Sequence, residues 1–455
     1  MNAARAPLRF ISSLTILATV LAAQNATGTE NWPQFRGPQA SGLSSGTAPT
    51  KWDAVSGENI LWQTPLAGLG HASPIIWGDN IYIATAIRPG MKAELKVGLY
   101  GDGDSYAEKE KHEWRLICLD KATGKILWDK LQLEAVPRLE RHTKATHCNS
   151  TPATDGKCIV AMFGSEGVFC FDMNGQKIWS KDLGKLHAAP FNMPSLQWSF
   201  ASSPVLYDGK VIVQVDTISE QFLAVFDATD GKELWRRPRK DNSSWCTPIV
   251  AKAAGRTQVV VNGWKEIGGY DFKDGKPLWW LSEGGDVPVA SPILARDHVI
   301  LTSAHGKYRP MRSVRLDANG DVKPEDISMT NSAVAWVHPR KGSYLVTPIV
   351  VGDLLWGCGS DGIVTCFDVK TGKIQYEERI GGGGQAFTTS PVSAGGNVYF
   401  TGEQGDVFVL PAAQKFSVIA TNQLDGICLA TPAISDGTIF YRTTEKLLAI
   451  GAKKP

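Results

Sequence analysis

The sequence predicts an all-β fold, an eight-bladed β-propeller of four-stranded antiparallel blades. Three observations support this fold: a Ser-Pro or Thr-Pro step before each apolar stretch, a second motif that follows most steps, and an unpaired strand near the N-terminus. The steps begin at Ser73, Thr151, Ser203, Thr247, Ser291, Thr347, Ser390 and Thr431. Recurrence of one unit at this period indicates a repeat architecture.

The spacing of the steps matches the length of one blade. Four of the seven intervals between successive prolines are 44, 44, 43 and 41 residues, which suits a four-stranded blade. The two widest intervals contain polar insertions at residues 87–114 and 317–333, each too long for a hairpin turn. Either insertion is a partner contact or a solvated loop, and the sequence alone leaves both roles open.

The second motif, Asp-x-x-x-Gly-Lys-x-x-Trp, predicts a β-hairpin in the outer half of each unit. Clear copies start at Asp120, Asp227 and Asp271. The Asp can hydrogen-bond its own turn, the Gly accepts a positive φ, and apolar strands flank both. A Trp at one fixed place in most units is expected to wedge between neighbouring blades.

The count of strands predicts how the ring closes. The eighth unit ends at residues 447–450 and lacks an outer strand, whereas residues 60–64 form an orphan strand before the first step. We expect residues 60–64 to complete the last blade, so that no sheet edge stays open. The domain boundaries follow: an extension over 23–59, the propeller over 60–450 and a tail over 451–455.

The N-terminus is expected to be a signal peptide. Arg5 and Arg9 precede an apolar run at residues 10–23, which is too short to span a bilayer. Cleavage is expected after residue 22, or as late as residue 26. No Cys lies in this region to carry a lipid anchor. The mature protein is therefore expected in the periplasm or outside the cell, without a transmembrane segment.

The Asp-x-x-x-Gly-Lys-x-x-Trp motif, called the repeat block below, resembles the repeats of the eight-bladed propellers with pyrroloquinoline-quinone (PQQ)-type repeats. Relatives in this family include quinoprotein alcohol dehydrogenases and the propeller lipoprotein of the outer-membrane β-barrel assembly machine. The resemblance covers roughly residues 32–450. It is strongest to exported propellers that begin like residues 31–38 (NWPQFRGP) and contain stretches like residues 150–156 (STPATDG). The resemblance implies the fold but no settled activity.

Charge and cysteine content exclude some functions. The formal net charge is +2, and no basic stripe indicates binding to nucleic acid. Three of the eight cysteines, Cys118, Cys170 and Cys366, precede the same hairpin position in different units. Such placement is typical of small buried hydrophobic residues, although an exported chain leaves a disulfide framework as the alternative. No Cys-x-x-Cys or zinc-type spacing occurs, and no metal site is predicted.

A PQQ-dependent dehydrogenase is the sharpest enzyme hypothesis, and the residues disfavour it. The family resemblance implies that such enzymes hold the quinone and calcium over the propeller axis, beneath a disulfide between adjacent cysteines. No two cysteines are adjacent in this chain, and no haem-attachment motif occurs. No cofactor and no catalytic residue are therefore predicted, while PQQ with calcium stays the alternative.

The candidate ligand site is one mouth of the central channel. Residues just before each Ser/Thr-Pro step begin the innermost strands, so they are expected to line that mouth. The candidates are His71, His147, Trp198, Trp245, Trp264 and Lys265. Aromatic packing alone is the competing interpretation. The sequence thus predicts an exported, monomeric binding or scaffold propeller of the cell envelope, whose partner is an envelope protein or a small polar ligand.

Overall fold

The computed structural model describes residues 29–91 and 94–452, and it confirms the predicted all-β ring. Eight antiparallel sheets form the blades; seven have four strands, and one gains a fifth. Helical structure in the described residues is confined to two 3₁₀ turns, Pro38–Ala40 and Gly164–Glu166. No helix in the described part of the chain is long and apolar enough to cross a membrane. The predicted signal peptide at residues 1–22 lies outside the described residues.

The strands of the first four blades follow one another from the channel axis outward. Blade 1 contains Ile75–Trp77, Asn80–Ile87, His112–Asp120 and Ile126–Ala135. Blade 2 contains Ala153–Thr154, Cys158–Met162, Val168–Asp172 and Lys177–Lys181. Blade 3 contains Val205–Tyr207, Lys210–Asp216, Gln221–Asp227 and Glu233–Pro238. Blade 4 contains Ile249–Ala253, Arg256–Val261, Ile267–Asp271 and Pro277–Leu281, with Gly320–Asp321 added in parallel at its outer edge.

The last four blades have the same order of strands. Blade 5 contains Ile293–Ala295, His298–Thr302, Met311–Arg315 and Val334–His338. Blade 6 contains Ile349–Val351, Leu354–Cys358, Ile363–Asp368 and Ile374–Arg379. Blade 7 contains Val392–Ala394, Asn397–Thr401, Asp406–Pro411 and Ala420–Gln423. Blade 8 contains Ala433–Ser435, Thr438–Arg442, Lys446–Ile450 and, as its outer strand, Ile60–Pro65.

The ring closes as the strand count predicts. The strand Ile60–Pro65 pairs antiparallel with Lys446–Ile450, from Ile60 opposite Ile450 to Pro65 opposite Lys446. The N-terminal strand and the last strand of the chain thus share one sheet. This clasp leaves no blade short of an edge strand.

The hydrophobic core lies between the blades. Each cluster of buried residues joins facing surfaces of neighbouring sheets; for example, Val160 of blade 2 and Val213 of blade 3 belong to one cluster. All eight cysteines are buried and free, as the interpretation of small buried hydrophobic residues expects. The ring is therefore stabilised mainly by apolar contact between sheets.

The Trp of the repeat block forms a wedge between blades, as expected. In five places the ring of a Trp on the outer strand of one blade lies against the glycine in the outer hairpin turn of the next blade, so close that a Cβ on the glycine would collide with it. The pairs are Trp62 with Gly124, Trp128 with Gly175, Trp179 with Gly231, Trp235 with Gly275 and Trp336 with Gly372. Each of these glycines also has a positive φ, so both the backbone and the wedge require Gly.

The Ser/Thr-Pro steps form a hydrogen-bonded belt around the channel. In seven of the eight junctions, the backbone N–H of the Ser or Thr donates to the side-chain hydroxyl oxygen of the equivalent residue in the next blade, at 2.9 to 3.2 Å. At the remaining junction, Ser73 Oγ is buried and has no partner among the described residues. The repeat thus marks the contact that links inner strands of adjacent blades.

The N-terminal segment, residues 29–59, runs across the ring on the side of the hairpin turns. Trp32 forms a β-bridge with Ile76 of blade 1, and the carbonyl of Pro33 accepts the N–H of Thr154 of blade 2. Leu43 bridges to Ser393 of blade 7. The Arg36 side chain also donates to the carbonyl of Pro348 at the start of blade 6, which lies opposite blade 2, so the segment crosses the ring and covers this end of the channel.

Both insertions are packed against the propeller. Ser105–Tyr106 of the first insertion pairs with Arg141–His142 in a two-stranded sheet. In the second insertion, Gly320–Asp321 pairs in parallel with the outer strand of blade 4. Val322 next to it is buried in the core between blades 4 and 5. Each insertion therefore has a structural role.

Candidate functional site

A cavity of about 190 Å³ lies on the axis of the ring. All eight Ser and Thr residues of the belt line it. Phe35 of the N-terminal segment lines it as well, and so do Trp198, Trp245 and Tyr344 from the loops. Since the N-terminal segment covers the turn side, the cavity lies behind the mouth on the loop side.

The structure brings half of the predicted site residues together. His71, Trp198 and Trp245 line the cavity, because each precedes a Ser/Thr-Pro step and therefore lies near the start of an inner strand. His147 does not line it. Trp264 and Lys265 also lie elsewhere, on the loop surface.

His71 is held as a neutral hydrogen-bonding group. Its Nε2 lies 2.8 Å from the carbonyl oxygen of Lys144, so Nε2 carries the proton and donates. Burial, assisted by the nearby charges of Arg442 and Lys144, lowers the pKa of His71 to about 4. At neutral pH its Nδ1 is therefore an acceptor in a residue that lines the cavity.

The ring of Trp198 stacks on that of His142, with centroids 3.9 Å apart and planes 10° apart. Burial lowers the pKa of His142 to about 4, and its Nδ1 accepts the N–H of Lys144. Tyr100 of the first insertion contacts Trp198 edge-on at 6.4 Å. The first insertion thus forms part of the channel mouth.

His147 instead belongs to an ionic cluster around Glu108 of the first insertion. Its Nε2 donates to Glu108 Oε2 at 2.9 Å, and Arg141 donates to both oxygens of the same carboxylate at 3.0 and 3.2 Å. Burial raises the pKa of Glu108, but hydrogen bonds from His112, His147 and Arg141 outweigh burial and hold the pKa of this carboxyl well below its ordinary range. Burial lowers the pKa of His147.

The same cluster has the composition of a metal site. The ligand atoms of Glu108, His112 and His147 all lie within 4.8 Å of one another. However, Arg141 and Arg88 both form ion pairs with the carboxylate. Two guanidinium groups repel a metal cation and already satisfy the carboxylate oxygens. The cluster is thus built as an ion-pair network that ties the insertion to blade 1.

Trp264 and Lys265 hold a buried carboxylate through their backbone. The N–H groups of Trp264, Lys265 and Glu266 donate to the Asp241 carboxylate at 3.0, 2.9 and 3.0 Å. Asp241 also lies 3.5 Å from the buried Arg239 guanidinium. The Trp264 ring packs on Phe191, with centroids 4.6 Å apart. Both residues therefore lie on the loop surface beside the mouth.

Lys144 lines the cavity and forms a buried ion pair. Its Nζ lies 2.5 Å from Glu403 Oε1 of blade 7 and donates to the carbonyl of Gly98 at 2.6 Å. Gly98 N–H donates in turn to Glu403 Oε2 at 2.7 Å. Burial lowers the pKa of Lys144, while Glu403 acts in the opposite direction. This network anchors the first insertion to blade 7.

Two buried arginines lie directly behind the cavity wall. Arg36, fully buried, donates to the carbonyls of Thr347 and Pro391 at 3.3 and 3.2 Å. Arg442 donates to the carbonyls of Ala72 and Ala84 at 2.8 and 2.7 Å. Neither guanidinium forms an ion pair with a carboxylate in the described part of the chain. Burial lowers the pKa of Arg36 to about 9 and that of Arg442 to about 10, so both are charged at neutral pH.

The loop face surrounds the cavity mouth and consists of residues 94–107, 187–198, 217–219 and 305–309. Its large exposed apolar residues are 43% to 48% exposed: Tyr100, Phe191, Met193, Ile218 and Tyr308. The loops contact one another, since Ser105 Oγ donates to the carbonyl of Gln197 and Tyr100 contacts His305 edge-on. A connected face with several exposed apolar side chains is typical of a protein-binding surface.

The blades, the repeat block and the closed ring define a propeller of PQQ-like repeats. The chain matches the family model described as outer membrane protein assembly factor BamB over residues 18–213, 112–279 and 219–454. These overlapping matches extend along nearly the whole chain. The protein therefore belongs to the BamB family.

Individual relatives are distant. The chain is 31% identical over 116 residues to outer membrane protein assembly factor BamB of Burkholderia pseudomallei (strain K96243), a match that covers 25% of this chain and 29% of that protein. The crystal structure of BamB from Moraxella catarrhalis is similar at 15% identity and a TM-score of 0.52, over 80% of this chain and 98% of that one. Quinohemoprotein alcohol dehydrogenase from Comamonas testosteroni is similar at 11% identity and a TM-score of 0.62, over 94% and 81%. These two structural similarities establish the shared fold only.

Proposed function

We propose that this protein is an exported, monomeric, non-catalytic binding or scaffold propeller of the cell envelope, and that it engages a partner protein through the loop face. The exposed apolar side chains of that face, held on a rigid ring, carry the proposal. Family membership supports it, because the relatives are named as outer membrane protein assembly factors. Residues 1–22 serve as the signal peptide in this proposal, and the partner is an envelope protein.

The packing of the loop face supports its role as the docking surface. The first insertion is tied down by the Glu108 cluster and by the Lys144–Glu403 pair, so Tyr100 is presented on an ordered loop. Trp264 and Phe191 form an aromatic pair beside it. Ordered aromatic side chains bind partners at a low cost in conformational entropy.

Photo-crosslinking tests the proposal. A photoreactive phenylalanine analogue replaces Tyr308 on the loop face or, as a matched control, Leu234 on the outer strand of blade 3, which is similarly exposed. In intact cell envelopes the probe at position 308 is expected to give a discrete cross-linked protein, whereas the probe at position 234 gives none. Cross-linking only from position 234, or from neither position, would contradict the proposal.

PQQ-dependent dehydrogenation is the alternative function, and the cavity lining does not favour it. Calcium in such a site requires carboxylate and carbonyl oxygens, but no Asp or Glu lines the cavity in the described residues. The one amide, Asn149, already accepts from Thr146 and donates to the Phe200 carbonyl. The residues present therefore do not fit the quinone with its calcium ion.

Adding PQQ and calcium to the purified protein separates the two functions. The scaffold proposal predicts neither a stoichiometric change in visible absorption nor dye-linked oxidation of alcohols or sugars. Tight quinone binding with turnover would overturn it.

A further inference from the structure

The lining of the central cavity contains an excess of hydrogen-bond donors. Seven belt hydroxyl oxygens already accept a backbone N–H from the neighbouring blade. In the described residues, none of the eight belt hydroxyls has an acceptor for its own proton. Ser73 Oγ, 1% exposed, has no hydrogen-bond partner at all, and neither does the buried Nε1 of Trp198.

Such a lining lowers the stability of the folded protein unless a ligand or water accepts hydrogen bonds from these groups. A buried polar group without a partner loses its hydration and gains nothing in return. The cavity wall has O–H and N–H groups to donate, whereas the acceptors near it are few: Nδ1 of His71 is one, and the amide oxygen of Asn149 is already used. The matching ligand is therefore rich in acceptors.

The charges behind the wall favour an anion. Arg36 donates to the carbonyl of Thr347, which lines the cavity. Arg442 donates to the carbonyl of Ala72, between the lining residues His71 and Ser73. The charge of Lys144 is balanced by Glu403, but no carboxylate pairs with either arginine in the described part of the chain. Two buried unpaired cations raise the electrostatic potential inside the ring.

The volume and the apolar part of the lining limit the ligand. About 190 Å³ holds roughly a dozen water-sized groups. Phe35, Val287, Val289 and Leu429 also line the cavity, and these side chains suit a carbon skeleton better than a bare inorganic ion.

We propose that the central cavity is a binding site for a small organic carboxylate, whose oxygens accept hydrogen bonds from the belt hydroxyls. This inference goes beyond the proposed docking function, because it concerns the interior of the ring and is independent of the loop face. Entry is from the loop side, past Trp198 and Trp245, because the N-terminal segment covers the other end.

Titration calorimetry on the purified protein tests the proposal with succinate and citrate as probes, and with succinamide and inorganic phosphate for comparison. At least one carboxylate is expected to bind with one-to-one stoichiometry, more tightly than succinamide or phosphate. Absence of carboxylate binding, equal binding of the uncharged diamide, or binding of phosphate alone would overturn the proposal.

Two matched serine variants locate the site. Ser73→Ala removes a cavity hydroxyl that has no partner within the protein, and it is expected to weaken carboxylate binding roughly tenfold, as for one lost hydrogen bond to a charged group. Ser150→Ala removes a hydroxyl that is equally buried and equally unpartnered but does not line the cavity, so binding should be unchanged. Equal effects of the two variants would contradict the assigned site.

A third variant tests the contribution of charge. Arg36→Met is expected to weaken carboxylate binding more than tenfold. Because this variant also loses the carbonyl contacts of Arg36, its circular dichroism and melting temperature are compared with wild type. Unchanged affinity in a folded Arg36→Met protein would contradict the electrostatic argument, and if the variant does not fold, Arg442→Met replaces it in the same test.

Discussion

The backbone N–H of Thr151 in blade 2 donates to the side-chain oxygen of Ser203 in blade 3 at 2.9 Å. Equivalent bonds link the inner strands through seven of the eight junctions of the ring. The Ser or Thr of each step is thus a link between blades, and the proline that follows it favours an extended backbone at that residue.

The belt makes a prediction for a matched pair of serines. Ser203→Ala leaves the buried N–H of Thr151 without an acceptor and is expected to lower the free energy of unfolding by about 1 to 3 kcal/mol. Ser73→Ala removes a hydroxyl that accepts no such bond, so its effect on stability should be smaller. Urea unfolding of both variants checks this. Equal losses would indicate that the belt bonds contribute little.

The wedge makes a second prediction. Gly231 has a φ of 71°, and a Cβ there would lie 2.7 Å from the Trp179 ring. Gly209 has a φ of 67° and open space around it. Both Gly→Ala variants incur the strain of a positive φ, about 1 to 2 kcal/mol, but only Gly231→Ala also displaces the wedge. The melting temperature of Gly231→Ala should therefore be clearly the lower of the two; equal values would contradict the wedge.

The belt bonds and the Trp wedge both involve residues that repeat once per blade, and such residues are the part of the structure that the sequence predicts. Ser73, Thr151 and their equivalents recur once per blade, so the pattern predicts the fold and the residues near the channel, and the orphan strand at residues 60–64 predicts the closure. The structure places His71, Trp198 and Trp245 in the cavity lining, near the channel mouth where the pattern predicts them; that they bind a ligand stays a prediction.

Contacts outside the repeat were not predictable. His147 precedes a Thr-Pro step as His71 precedes a Ser-Pro step, but Glu108 from the first insertion, 39 residues earlier, binds it away from the cavity. Arg36 lies in the N-terminal extension, which has no periodicity. Only the assembled ring shows that this extension covers the channel and places Arg36 behind the cavity wall.

The Glu108 cluster makes a third prediction. Glu108→Gln leaves the buried Arg141 without its carboxylate, which is expected to cost about 3 kcal/mol or more. Hydrogen exchange of residues 94–107 should become faster, because this cluster fixes the insertion. Glu110→Gln is the control, since the Glu110 side chain is about half exposed and, among the described residues, pairs with Arg88. Unaltered exchange in Glu108→Gln would contradict the anchoring role.

Acid sensitivity provides a fourth prediction. Burial lowers the pKa of His71 from its ordinary 6.5 to about 4. Between these pH values the unfolded chain binds a proton that the folded protein does not, so stability falls as the pH falls from about 6.5 to 4, by at most about 1.4 kcal/mol per pH unit. Well above pH 6.5, His71 is neutral in both the folded and the unfolded chain, so the folded protein keeps its full stability there.

Comparison of His71→Gln with wild type isolates this contribution. Between pH 7 and pH 4.5, wild type is expected to lose about 2 to 3 kcal/mol more stability in urea unfolding than the variant does. Between pH 7.5 and pH 8.5, where His71 is neutral in both the folded and the unfolded chain, the stabilities of wild type and variant should change in parallel, which serves as the control. The same loss in His71→Gln as in wild type would mean that His71 is not held neutral.

Docking through the loop face is the central claim, and the affinity for the cross-linked partner tests it most directly. The loop-face variant carries Tyr100→Ser, Phe191→Ser and Tyr308→Ser. It is compared with a rim variant, which carries substitutions of similarly exposed residues on the outer strands of blades 2 to 4: Ile178→Ser, Leu234→Ser and Trp280→Ser. The loop-face variant is expected to bind the partner at least roughly tenfold more weakly, whereas the rim variant stays close to wild type. Weakened binding by the rim variant alone, or unchanged binding by the loop-face variant, would contradict the claim.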